Sequence, residues 1–268
     1  MSTYAPSVSI PGPRLVRAEI LKLRKRRSLV VTSAVLTVLP VAIFFVVGAL
    51  LHASNAAKHG PAGGVTNLGY GLLILALLGG VVGAQVGTAA GAGDLSSGVF
   101  KELVVTGRAR RALFLARIPG GLAFLLPFVA AAYALVAVGS VALAGSLAAP
   151  SAGLLVTSGA WVLFSATFWF VLALGLSSLI GSKSATIGLL VAWQLAVGPA
   201  LAGIGALGIG RAAIPGAAVG SLAPSAVRQN AVSGGALPLS VGGAALAVVV
   251  TIVVALALGS WRTERRDA

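Results

Sequence analysis

Few side chains in this sequence could carry chemistry. There are two histidines, five acids and no cysteine among 268 residues. Without cysteine there is no thiolate nucleophile, no disulfide and no Cys-based metal site. His52 and His59 lie in one short polar stretch, and with no further ligand beside them they read as solvent-facing. No Ser–His pair and no paired carboxylates fall within the long apolar runs, so neither nucleophilic hydrolysis nor Mg²⁺-dependent lipid transfer is expected there. The phosphate-cradling pattern GxxxxGK[ST] is also missing. The chain is not expected to be an enzyme and needs no cofactor of its own. If it moves a solute uphill, the energy must come from another chain.

The acids are Glu19, Asp94, Glu102, Glu264 and Asp267. Two of them belong to DLSSGVFKELVVTGRARRALFLAR, residues 94–117, which holds seven of the 24 charged residues. Long uncharged stretches flank it. Ser96, Ser97 or Asp94 can cap a short helix over residues 97–106, and Gly107 can end it. Val99, Phe100, Leu103 and Val104 would form its apolar side, with Lys101 and Glu102 on the polar side. Arg108, Arg110, Arg111 and Arg117 follow. Such a helix is marginal alone in water and needs a surface to hold it: a membrane interface or a partner protein.

The elements that must position these residues are set by composition. The chain is 58% hydrophobic and 9% charged, against about 25% charged in soluble domains. This implies an all-α integral membrane protein, read as one transmembrane domain over 1–268. The formal charge of +14 does not imply a nucleic-acid partner, because the basic residues sit between apolar runs rather than on one soluble face. Six runs are long enough to span a bilayer: roughly Ser28–Leu51, Asn67–Gly93, Ile118–Ala144, Leu154–Leu179, Ala185–Ile209 and Val241–Ser260. The first is too long for a signal-peptide core of about 7–15 residues and reads as a retained span. Of 19 Lys and Arg, 16 fall at the two ends of the chain, in 94–117 and at Lys183, whereas Lys58, Arg211 and Arg228 lie on the other side. The positive-inside rule then places both termini and the 94–117 segment in the cytoplasm. Heavy use of Ala, Gly, Val and Arg with little Lys suits a high-GC bacterium, so the expected location is a bacterial inner membrane.

Within the six runs there is no Asp, Glu, Lys or Arg, which disfavours ion-coupled carriers and voltage sensors. Gln85 and Gln194 are the strongest polar residues there, and a mid-span Gln more often bonds a neighbouring helix than a substrate. Gly79, Gly83, Gly87 and Gly91 form one four-residue ridge, and Gly198, Ala202, Ala206 and Gly210 form another. Small-residue ridges allow close helix approach, within one subunit or between two. Gly198-Pro199 marks a kink in the fifth span. The segment 210–240 is unusually apolar for an external loop. It is either a set of short re-entrant helices or a loop packed on its neighbours. Residues 14–27 form a basic amphipathic helix with an apolar stripe at Val16, Ile20 and Leu23, suited to lie on membrane lipids.

The layout resembles the six-helix permease subunits of ABC-2 type, the membrane halves of ATP-binding-cassette exporters. Glu19 and Lys22 match the acid and base of the family's N-terminal interfacial helix. Gly98, the stretch 99–105, the basic turn Arg108, Arg110 and Arg111, and Arg117 at the start of span three match its coupling segment. Asp94 stands where the family often has an acid. The resemblance implies two permease subunits, alike or related, pairing with two P-loop ATPase subunits that bind ATP and Mg²⁺. Gly98, Val99, Phe100, Lys101, Glu102, Leu103, Arg108, Arg110 and Arg111 would couple to the ATPase. Spans two and five would line the path, which would put Gln85 and Gln194 near it. The substrate would be an apolar or amphipathic drug, lipid or peptide. An uncoupled channel or secondary carrier, or a non-transporting scaffold, are the alternatives.

Overall fold

A computed structural model describes residues 12–96, 98, 109–230 and 240–265. Among them the chain is helical and has no strand. Helices α1 (Pro13–Lys25), α2 (Arg27–Ser54), α3 (Gly64–Ser96), α4 (Arg110–Ala142) and α5 (Ala152–Ile180) are followed by α6 (Lys183–Ala192), a π turn (Trp193–Val197) and α7 (Gly198–Ala202). A 3-10 stretch (Gly205–Ala213), two short helices α8 (Ala217–Ser221) and α9 (Ser225–Asn230), and α10 (Val241–Arg265) complete the order. Among the described residues, six helices are long and apolar enough to cross a membrane: α2, α3, α4, α5, the α6–α7 rod and α10. At about 1.5 Å per residue, even the rod's 20 residues cover a hydrocarbon core of about 30 Å.

Their limits follow local chemistry. Ser151 accepts a hydrogen bond from the Leu154 amide at the start of α5, and Ser182 does the same for Ala185 at the start of α6. Between them Gly181 ends α5 in the left-handed region, φ 79°, where a side chain would be strained. Pro40, Pro119 and Pro127 lie inside continuous helices, as neighbouring spans permit.

Helices α3 and α5 are the most buried and run parallel at the centre. The glycine ridge of α3 makes their approach possible. A Cβ at Gly83 would sit 2.6 Å from the Ala166 carbonyl oxygen, and one at Gly91 2.7 Å from that of Leu174. Gly87 faces the Phe170 carbonyl still more tightly, with Ala173 Cβ 2.9 Å from its would-be Cβ. From Gly83 to Gly91 the ridge is therefore filled inside this chain by the backbone of α5. Helix α10 meets α5 in the same way, where a Cβ on Gly259 would lie 2.9 Å from Gly175 Cα. Much of α2, the α6–α7 rod and α10 remains exposed and apolar, the surface a bilayer would cover.

Two expectations change. The fifth span ends as an α-helix at Ala202, not Ile209. Gly203, Gly205 and Gly208 follow, the last at φ 48°, so Ala206 and Gly210 do not share a helix face with Gly198 and Ala202. The ridge expected over these four residues does not exist. In addition, the distortion in this span begins before Pro199. The Gly198 amide bonds the Trp193 carbonyl five residues back, the π register. The apolar character of the segment after the fifth span also has a cause: Ala218, Val219, Ala226 and Val227 are buried where α8 and α9 pack on α10 and α3.

Candidate functional site: a buried ionic quartet and a tryptophan chamber

Helix α1 does not simply float beside the bundle. Its apolar stripe turns inward, with Leu23 fully buried, and it packs along α4 where Gly120 leaves room for it. This brings Glu19 and Lys22 to the ends of α3 and α4. Lys22 Nζ donates to both carboxylate oxygens of Asp94, at 3.1 and 3.0 Å. Arg117 Nη2 donates to Asp94 Oδ2 at 3.0 Å, and Nη1 to the Gly91 carbonyl at 3.2 Å. Lys22 Nζ also lies 2.5 Å from Glu19 Oε2, an ion contact without hydrogen-bond geometry. Asp94 and Arg117 are 2% and 1% exposed. Two acids and two bases thus form a neutral quartet joining three helices.

In the sequence the second apolar run ends at Gly93 and the third begins at Ile118, which leaves both spans without charge. In the structure α3 continues through Asp94 and α4 begins before Arg117, and both ions are helical and buried. Burying an ion is tolerated only when it is paired and hydrogen-bonded. The quartet meets that condition at Asp94, while Arg117 Nε has no partner.

The quartet brackets the charged segment. Gly98 is exposed at φ 74°, a conformation that suits glycine. Val99, Phe100, Lys101, Glu102, Leu103 and Arg108 lie outside the described residues. Beyond them, Arg110 Nη1 donates to the Glu264 carbonyl at 3.0 Å, and Arg111 Nε is 3.3 Å from Glu264 Oε1. The start of α4 is therefore tied to the end of α10. These last contacts are exposed and contribute little energy. Arg26 lays its guanidinium over Gly93.

The two glutamines are separated. Gln85 pairs with Thr32 of α2, with Nε2 to Oγ1 at 3.0 Å, an interhelical bond inside the chain. Gln194, in the π turn, donates from Nε2 to the Leu77 carbonyl at 2.8 Å. A carbonyl can only accept, so the amide nitrogen must face Leu77 and Oε1 must point elsewhere. That buried oxygen has no partner, at a cost of about 1–3 kcal/mol. Gln194 also borders a chamber of about 310 Å³ among α3, α5, the π turn, α7 and residues 214–228. Three of the four tryptophans, Trp161, Trp169 and Trp193, line it. Gly198 and Ala202 also line it, whereas Ala206 and Gly210 are exposed. Gly79 faces Val129 of α4. His52 Nδ1 is 2.7 Å from the His59 carbonyl, and among the described residues no group of His, Asp and Glu could hold a metal ion.

Sequence reasoning singled out Glu19, Lys22, Asp94 and Arg117 separately and missed their meeting. Charges at the very edges of apolar runs were the available signal. The convergence of the tryptophans had none. Compared with known proteins, the chain matches no family model and no curated protein.

Proposed function

We propose that the chain is the permease subunit of an ATP-binding-cassette exporter. It would work with a second permease subunit and two separate P-loop ATPase subunits that bind ATP and Mg²⁺. Its termini and the 94–117 segment would face the cytoplasm. The observation that carries this reading is the quartet. It costs desolvation yet anchors the basic amphipathic helix to the ends of α3 and α4, the two helices between which the charged segment runs. Force applied to that segment would reach the central α3–α5 pair through a rigid mount rather than a slack loop. A carrier driven by an internal ion site would need polar groups at mid-span. Here the buried ions sit at the helix ends instead.

The test is co-purification. A tagged chain from its native membrane should retain a P-loop ATPase, and the purified chain alone should bind no ATP. Glu102→Arg should release the ATPase or uncouple hydrolysis from transport, since breaking a desolvated interfacial charge pair costs roughly 2–5 kcal/mol. Lys58→Glu should do neither. Full transport and full ATPase retention in Glu102→Arg would overturn the proposed pairing, and micromolar nucleotide binding by the isolated chain would overturn the separate energy source.

A further inference from the structure

Helices α5 and α10 touch where their residues are smallest. A Cβ on Gly175 would run into the Ala255 backbone, and one on Gly259 would lie 2.9 Å from Gly175 Cα. Beside this contact runs a slot of about 300 Å³ with the buried Gly175 and Ala255 at its floor. Leu172, Leu176 and Leu179 line one side, and Val250, Val254 and Leu258 the other. These last three are exposed, so the slot opens on the outer surface that a bilayer would cover. Its one polar side chain, Thr251, donates to the Ala247 carbonyl at 2.8 Å. Hydrocarbon fits such a lining, whereas a peptide or sugar would bury its own polar groups there unpaired.

The face of α10 that lines the slot ends in charge. At about 100° per residue, Arg262 points within about 20° of Ala255, and Arg265 within about 20° of Leu258. Both arginines are exposed. Helical side chains lean toward the N-terminal end of their helix, which here is toward the slot. Arg265 is steadied by Trp261, with Cζ 4.9 Å from the ring centroid. Glu264 points about 120° away from Leu258 and is held by Arg111 of α4. Among the described residues neither Arg262 nor Arg265 has a hydrogen-bond or ion-pair partner. A second copy of the chain offers them little, because the described acids Glu19, Asp94 and Glu264 are already paired. A phospholipid matches the whole stripe: an acyl chain in the slot, the phosphate at the arginines, and the indole at headgroup level.

We propose that the α5–α10 slot holds one anionic phospholipid, with one acyl chain against Gly175 and Ala255 and its headgroup received by Arg262 and Arg265. The inference rests on the membrane-spanning helices alone, so it can fail while ATPase pairing holds, and the reverse. The surrounding bilayer is as apolar as the slot, so selectivity must lie in the headgroup.

The delipidated chain is titrated in detergent with dioleoyl phosphatidylglycerol, dioleoyl phosphatidylcholine or glycerol phosphate, and bound species are counted by native mass spectrometry. Phosphatidylglycerol should fill one saturable site per chain about 25-fold more tightly than phosphatidylcholine, about fivefold for each arginine. Glycerol phosphate, which has no acyl chain, should not bind. Arg262→Gln and Arg265→Gln should each weaken phosphatidylglycerol about fivefold and leave phosphatidylcholine unchanged. Val254→Trp, at an exposed position, fills the slot and should weaken both lipids. Arg17→Gln, an exposed change on α1, should alter neither. Helical ellipticity checks that each variant is folded. Equal affinity for the two lipids overturns the proposal, as does glycerol phosphate binding as tightly as the lipid. A loss in Arg17→Gln as large as in Arg262→Gln also overturns it, because the attraction would then be diffuse. So does a Val254→Trp variant that binds phosphatidylglycerol normally, or one that instead splits a dimer, which would make the slot a contact between two copies.

Discussion

Replacing Asp94 by Asn keeps the shape of the quartet and removes its central charge. Arg117 is the residue that suffers. It is 1% exposed, cannot lose its proton, and has Asp94 as its acidic partner at 3.0 Å. Lys22 is 24% exposed at its side chain and can swing toward water. The expected loss is therefore that of a buried cation left unpaired, about 3–5 kcal/mol. Arg117→Met removes the trapped cation and leaves Asp94 with Lys22, so its loss should be smaller, about 1–3 kcal/mol. The double variant removes both buried charges together, and should lie within about 1 kcal/mol of Arg117→Met rather than at the sum of the singles. Unfolding by SDS in mixed micelles, followed by helical ellipticity, measures all four chains. If the two single losses add, the side chains are not coupled and the ionic account of this joint is wrong. If Asp94→Asn costs under about 0.5 kcal/mol, Arg117 is solvated in the membrane and the burial inferred for it is wrong.

Gly87→Leu should prevent α3 from seating on α5, because its Cβ would meet the Phe170 carbonyl backbone and Ala173. Even Gly87→Ala should cost about 1–3 kcal/mol, whereas Gly188→Ala, with nothing within 4 Å, should be neutral or stabilising by up to about 1 kcal/mol; the same unfolding assay decides. Thr32→Val removes the α2–α3 bond to Gln85 and should cost about 0.6 kcal/mol, the usual worth of such a bond within a membrane. Because the chain has no cysteine, single-cysteine labelling in intact cells reports topology directly. Lys58→Cys should react with an impermeant thiol reagent and Arg108→Cys should not, and the opposite pattern would invert the orientation.

The spans were legible because an apolar run of about 20 residues has few other uses. The small residues every fourth position along α3 were legible too, though not what fills them, since the periodicity names a helix face and not its neighbour. The second ridge failed for a related reason. A four-residue spacing has meaning only while the helix lasts, and Gly203, Gly205 and Gly208 end it. Glu19, Lys22, Asp94 and Arg117 each stood out as charges at the margin of apolar sequence. Lys22 and Asp94 are 72 residues apart, and nothing local specifies which ions meet when α1 folds back on the bundle. The chamber was least legible of all. Trp161, Trp169 and Trp193 belong to two spans, and Gln194 owes its direction to a carbonyl of a third.

The π turn at Trp193–Val197 amounts to a one-residue frameshift in the fifth span. An α-helix turns about 100° per residue. Continued without interruption from Thr186, it would bring Val197 within about 20° of that residue's direction and carry Gly198 about 120° away. The observed order is the opposite: Gly198 is buried in line with Thr186, Leu190 and Gln194, while Val197 is 41% exposed. The widened turn absorbs the extra residue. It decides that a hydrogen atom, rather than an isopropyl group, faces the Trp193 carbonyl and the chamber wall. The same residues wound as a regular α-helix through this turn would keep their composition and hydropathy, yet would present valine where the glycine now sits and fill part of the space beside Gln194.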